Sequence, residues 1–236
     1  MVKILVANQN IEQNNKLCKY LANDNNLKII GTNDGISTLE QYHKIKPDIF
    51  ILNTNLNDIN YIEVIDQLSY DINEKMNCNT ILISSIPNES LCITNTAKLY
   101  KTFTNQFEMK DVSKTIIEMS NYILDKKIDR LFLKLKIPLR SNPSNRVRNA
   151  LTKCYYYPEL IENINELFDL VGKDFKTTRD GIRSSFRTAL RPLNLYKDKE
   201  QSPFAIYKLF EKGEDVSPKR FLDVSIYYLQ NTKNNR

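Results

Sequence analysis

Tryptophan is absent from this chain of 236 residues, and cysteine is scarce. The four cysteines, at 18, 78, 92 and 154, form no CxxC pair. Neither a zinc site nor a disulfide framework is expected from that scatter, and reduced thiols are. No stretch approaches ~18 consecutive apolar residues, so a membrane-spanning helix is not expected. The opening MVKILVANQN has too short an apolar run for a secretory leader before polar residues follow. A cytoplasmic protein without membrane contact is the expectation. The single histidine, His43, falls on an expected surface helix and takes no role. Internal repeats are lacking as well. The missing tryptophan, beside abundant asparagine, excludes no function.

The composition that remains is globular, with 41% hydrophobic and 26% charged residues. The length suits one large or two ordinary domains. Charge separates the halves. Residues 1–120 carry 11 Lys/Arg against 14 Asp/Glu, a balance of −3, and residues 121–236 carry 23 against 14, a balance of +9. Such asymmetry suggests two domains, the second facing a polyanion such as nucleic acid.

Short apolar runs alternate with amphipathic stretches through the first half. KILVA (3–7), LKIIGT (27–32), DIFIL (48–52), TILIS (80–84) and KLYKTF (98–103) read as strands. Segments 11–24, 37–45, 61–72, 110–125 and, more weakly, 90–97 read as helices. Ser37 with Glu40 three residues on suggests a capping box. The order βαβαβαβαβα predicts a doubly wound, parallel α/β sheet of the flavodoxin-like kind. After residue 125 no convincing strand appears. Helical segments lie near 126–135, 144–155, 158–170, 172–176, 178–191, 202–211 and 217–230, punctuated by six prolines from Pro138 to Pro218. The expected organisation is an α/β domain over 1–121, a short linker at 122–128, and an all-α domain over 129–236 with a helix-turn-helix near 165–191.

In an open α/β sheet the chemistry sits where the strands end. That edge places Asn8 and Gln9 after strand one, Asn53 after strand three, Ser84 after strand four and Lys101 after strand five. With these residues in place, and with KPDIFIL (46–52), GTNDG (31–35) and the Lys101-Thr102-Phe103 corner, the first half resembles a response-regulator receiver domain. The resemblance implies an acidic pair, a phosphoacceptor aspartate, a hydroxyl and a lysine. Here the three acidic positions are the amides Asn8, Gln9 and Asn53. Magnesium prefers carboxylate oxygens, and only a carboxylate forms an acyl phosphate. The expectation is a degenerate receiver that binds no cofactor and does no phosphotransfer. The competing reading is a working site built from displaced carboxylates, Asp34 or Asp58. Asn57, Tyr61 and Lys98 also depart from the family's usual proline, glycine and switch aromatic.

The most informative stretch of the second half is NELFDLVGKDFKTTRDGIRSSFRTALRPL (165–193). An amphipathic segment, a short turn and a second helix follow one another, with Thr177 or Thr178 as N-cap. Arg179, Arg183, Arg187 and Arg191 recur every four residues, giving a slowly turning basic stripe. Ile182, Phe186, Ala189 and Leu190 lie on the other side and face a core. The acids counted nearby are Asp174 and Asp180. That is the pattern of a DNA-binding helix-turn-helix. An ordinary solvated helix with paired arginines is the alternative.

FLKLKIP (132–138), RVRNAL (146–151), KDFKTTRDGIRSSFRTAL (173–190) and SPKRFLDVSIYYL (217–229) carry a further resemblance. Together they are similar to the DNA-binding domain of the sporulation-initiation master regulators of endospore-forming bacteria. The family's recognition helix has a Glu-Arg pair where this chain has Arg183 and Ser184, and a histidine where it has Thr188. Arg187 is retained, and Pro143 replaces a glycine. A changed operator preference is therefore expected. Arg183 and Arg187 are assigned to base edges, and Thr178 and Arg179 to phosphate. Lys173 and Lys176 are assigned to the flanking backbone. Tyr155, Tyr156 and Tyr157 suit either base stacking or helix-end packing.

The functional expectation is a DNA-binding transcription regulator, an atypical response regulator working without aspartyl phosphorylation. It would not be an enzyme. It would act as a homodimer on double-stranded DNA, within or beside a two-component system. The alternative is an interaction module that antagonises or partners a genuine, receiver-containing response regulator.

Overall fold

The structure, a computed structural model, describes residues 2–24, 26–70, 79–84, 98–104, 106–196, 210 and 216–231. The chain divides into two compact units, Met1–Ile123 and Leu124–Arg236.

The first unit contains β1 (Val2–Ala7), α1 (Ile11–Leu21), β2 (Leu27–Thr32), α2 (Gly35–Ile45), β3 (Ile49–Asn53) and α3 (Tyr61–Tyr70). It continues with β4 (Asn79–Ser84), β5 (Lys98–Thr104) and the start of α4 (Met109–Lys134). The sheet order is β2-β1-β3-β4-β5, and every pairing is parallel. That is the flavodoxin-like order. Side-chain alternation splits β1, β3 and β4 between two cores. Ile4, Val6, Ile49, Ile51, Ile81 and Ile83 face Leu17 and Leu21 of α1 and Val112, Ile116 and Met119 of α4. Leu5, Ala7, Phe50, Leu52 and Leu82 face Tyr42 of α2 and Val64, Ile65 and Leu68 of α3. A central strand covered on both faces needs an unbroken apolar run, and all five residues of β3 are buried. The helix expected at 90–97 lies outside the described residues.

Two local expectations change. Asp34, not Ser37, caps α2: its side chain accepts from Ser37 N–H at 2.7 Å. Residues 122–128, expected as a linker, are helical within α4. No proline or glycine interrupts residues 109–134, so nothing stops the helix until the turn before Pro138. There Lys136 takes a left-handed φ of 56°, and Ile137 N–H returns to Phe132 C=O at 2.8 Å.

The second unit is helical among its described residues. It holds the end of α4, then α5 (Asn142–Tyr156), a 3-10 turn (Pro158–Ile161), α6 (Ile164–Asp174), α7 (Arg179–Tyr196) and α8 (Pro218–Asn231). The segment expected at 202–211 lies outside the described residues except for the buried Phe210. Pro143 sits in the first turn of α5, where its missing N–H costs no helical bond; Ser141 provides the cap. Helix α7 runs through Pro192 to Tyr196, although proline removes one helical bond. Ala189, Leu190 and Leu193 around it are all buried, and that packing offsets the loss. One core gathers Leu131, Phe132, Leu151, Phe168, Phe186, Phe221 and their neighbours, with the Phe168 and Phe186 rings 5.1 Å apart. Each such side chain contributes roughly 1.5–3 kcal/mol by leaving water. Among the described residues no helix is long and apolar enough to cross a membrane.

Candidate functional site: an amide-lined sheet edge and an arginine-bearing helix

At the C-terminal edge of the sheet, β1 and β3 lie side by side in register, Ala7 opposite Leu52. Asn8 and Asn53 therefore emerge next to each other. Both are buried, at 0% and 2% exposure. Their amides form a ladder. Asn53 Nδ2 donates to Asn8 Oδ1 at 3.3 Å, and Asn8 Nδ2 donates to Gln13 Oε1 at 2.9 Å. The same Asn8 oxygen accepts from Asn10 N–H at 3.0 Å, and Asn53 Oδ1 accepts from Asn55 N–H at 2.8 Å. Each rung needs one donor and one acceptor, which an amide supplies and a carboxylate does not. A cleft of about 390 Å³ opens over the ladder, with Gln9 on its wall. Its acid among the described lining residues is Glu12, already paired with Lys16 at 2.6 Å. The hydrogen bond and charge of Lys16 hold the Glu12 carboxyl below its usual value.

Ser84 ends β4, buried and opposite Thr104. Lys101 does not reach that level. It stands within β5 opposite Ile81 rather than past the strand's end, because β5 runs on to Thr104, the residue opposite Ser84. Its ammonium lies 3.3 Å from Thr115 Oγ1 and 4.7 Å from the Phe103 ring centre. The described lining of the cleft contains Asn8, Gln9 and Asn53 but neither Ser84 nor Lys101.

The displaced-carboxylate reading fares poorly on geometry. Asp34 caps α2. Asp58 grips the same helix start, accepting from Gly35 N–H at 2.6 Å and Ile36 N–H at 2.9 Å. Burial raises the Asp58 carboxyl, but the N–H groups of Gly35, Ile36 and Ile59 together hold it below its usual value. Gly35 is required there, since a Cβ would lie 2.1 Å from the Ile59 side chain. Among the described residues no group of three His, Cys, Asp or Glu is placed to hold a metal ion.

In the second unit, α6 closes with two turn bonds: Lys176 N–H to Lys173 C=O at 3.3 Å, and Thr177 N–H to Gly172 C=O at 2.9 Å. Lys176 takes a left-handed φ of 49°. This is the Schellman arrangement. The chain turns back so tightly that a Cβ on Gly172 would meet Thr177 O at 2.8 Å. Thr178 then caps α7, its hydroxyl oxygen accepting from Gly181 N–H at 3.2 Å. The cap falls on the second threonine of the pair.

Ile182, Phe186, Ala189 and Leu190 are buried, as their spacing requires. Lys173, Lys176, Thr178, Arg179, Arg183, Ser184, Arg187, Thr188 and Arg191 are exposed, and Thr177 is half-buried. The arginines differ in their partners. Arg179 clasps Asp169 of α6 with both Nε and Nη2. The pair shifts both groups: the Arg179 hydrogen bond holds the Asp169 carboxyl down, and that of Asp169 holds the Arg179 guanidinium up. Arg183 Nη1 donates to Asp180 Oδ1 at 2.8 Å. Arg187 and Arg191 make no hydrogen bond or ion pair with a described residue. Asp174, counted from the sequence as an acid near the stripe, instead pairs with Lys153 of α5 at 2.9 Å. Asp169 was missed because it sits ten residues before its arginine, across the turn. Arg146 of α5 was also missed: Nη1 donates to Ser185 Oγ at 3.0 Å, and that hydroxyl donates to Gly181 C=O at 2.7 Å. Tyr155 is buried against Tyr156 with ring centres 5.5 Å apart, which is packing, while Tyr157 is exposed.

No protein-family profile matches the chain. Solved structures similar to it align over about half its length. The N-terminal domain of an uncharacterized protein from Wolinella succinogenes is 16% identical with a TM-score of 0.47, over 53% of this chain and 99% of that one. The response regulator domain of Thermotoga maritima CheB is 19% identical at 0.41, over 50% and 92%. A DNA-binding response regulator of the LuxR family from Staphylococcus aureus is 11% identical at 0.44, over 50% and 98%.

Proposed function

We propose that this chain is a DNA-binding transcription regulator, an atypical response regulator whose receiver-like unit works without aspartyl phosphorylation. In this reading α6 and α7 are the helix-turn-helix, and α7 enters the major groove. The observation that carries it is the two-sided character of α7. One side is buried in the core, and the other exposes arginines of which Arg187 and Arg191 have no acid beside them among the described residues. Uncompensated guanidiniums suit phosphate and guanine. The excess of basic residues after position 120 supports the same partner.

Arg187 reads a base, Arg191 with Lys173 and Lys176 holds the backbone, and Thr177, Thr178, Ser184 and Thr188 complete the face. The protein binds as a homodimer on paired half-sites, because one small module of this kind buries little surface. The Asn8–Asn53 ladder supports the phosphorylation-independent part: its amides are bonded to one another, and none can become an acyl phosphate.

The test is selection of the untreated full-length protein on a pool of random duplexes, followed by a salt titration. Enrichment of one motif with steep salt dependence is expected. Weak, unselective binding would count against the reading.

A further inference from the structure

The two acids beside the stripe divide its arginines by the donors they leave open. A guanidinium has five N–H groups, and two of its edges can grip an acceptor pair. Guanine offers O6 and N7 to such an edge in the major groove. Arg179 has given its Nε–Nη2 edge to Asp169. Arg183 is held by Nη1 alone, and its Nε–Nη2 edge makes no hydrogen bond to a described residue. Asp180 lies in the first turn of α7 with its side chain 84% exposed, and Arg183 is 48% exposed. In water such a pair is weak. In a groove that excludes water it strengthens, and it fixes the plane of the guanidinium.

We propose that Asp180 is a specificity-determining residue of the DNA interface: it holds Arg183 by Nη1 and presents the Nε–Nη2 edge of that arginine to one guanine of the operator. The proposal rests on the DNA-binding reading above. Asp180 acts through Arg183 and is a positioning residue. Its own negative charge faces the phosphates, so it also weakens binding to any other sequence. Arg179, with its Nε–Nη2 edge clasped to Asp169, joins α6 to α7 and keeps only its Nη1–Nη2 edge for phosphate.

The experiment applies the random-duplex selection to the full-length protein and to Asp180→Ala, Asp180→Asn, Arg183→Ala and the double alanine variant. Circular dichroism checks that each is folded, which the exposure of both side chains favours. For Asp180→Ala, discrimination at one guanine is expected to fall about tenfold, while binding to random DNA holds or tightens. Arg183→Ala loses the same position, and the double variant loses nothing further. Asp180→Asn keeps most of the discrimination, because its side-chain oxygen still accepts from Nη1.

Equal weakening on selected and random DNA would overturn the proposal. So would a loss at a position that Arg183→Ala leaves intact, for then Asp180 reads a base itself. Absence of any motif for the unsubstituted protein removes the DNA-binding reading and this proposal with it. A motif that Asp180→Ala leaves unchanged removes the proposal alone.

Discussion

At Asn53 the amide nitrogen gives a hydrogen bond to Asn8 while the oxygen takes one from Asn55. Asn53→Asp deletes the donor and sets two oxygens against each other in a buried place. An unmatched buried polar contact costs about 1–3 kcal/mol. Burial raises the new carboxyl's pKa above its unfolded value, so the charge is resisted. The deficit therefore grows as pH rises above the unfolded pKa and is larger at pH 7 than near pH 4. Urea unfolding at the two pH values measures it. The same variant is expected to take no phosphoryl group from a small phosphodonor, because Asn8 and Gln9 still offer magnesium no carboxylate. Intact mass spectrometry reads that directly. Asp58 works in the opposite sense. Its carboxyl lies below its usual value, so its grip on α2 is present at neutral pH and lost as pH falls through the lowered value. Asp58→Asn should flatten the acid limb of the stability curve.

Among the elements, the turn between α6 and α7 is the most constrained. Lysine is strained at the left-handed position that glycine accepts freely. Lys176→Gly is expected to raise stability by about 0.5–1 kcal/mol, seen as a higher urea midpoint with an unchanged slope. Gly172→Ala should lower it by about 1–3 kcal/mol, since the new methyl meets backbone. Much of this architecture was legible locally. The buried run of β3 and the two faces of α7 follow from periodicity, which needs only neighbouring residues. The length of α4 was harder, because a helix with no breaker has no written end. The depth of Lys101 depends on β5 running on to Thr104, an end that no side-chain pattern announces. The Arg179–Asp169 clasp spans a turn, and sequence spacing does not say which acid lies opposite. Asp34 and Ser37 are both good caps, and the Asp58 carboxylate, accepting from Gly35 and Ile36 N–H, favours the earlier start.

Across the whole molecule, charge is the clearest feature, with the balance of +9 confined to residues 121–236. On the proposed function, Arg187→Ala costs ~1–3 kcal/mol and relaxes one base position. Lys176→Ala weakens all sequences alike and lowers the salt slope by ~1. Titrations on selected and random duplexes separate the two. Equal losses on both for Arg187→Ala would reject its role. The amide ladder has one further consequence. A phosphorylated aspartate carries a timer, because the acyl phosphate decays and the signal ends with it. Asn8 and Asn53 offer no labile bond and no proton to lose near neutrality. On the proposed function, a regulator built this way has no decay of its own, and its output tracks copy number: how fast the chain is synthesised and how fast it is degraded.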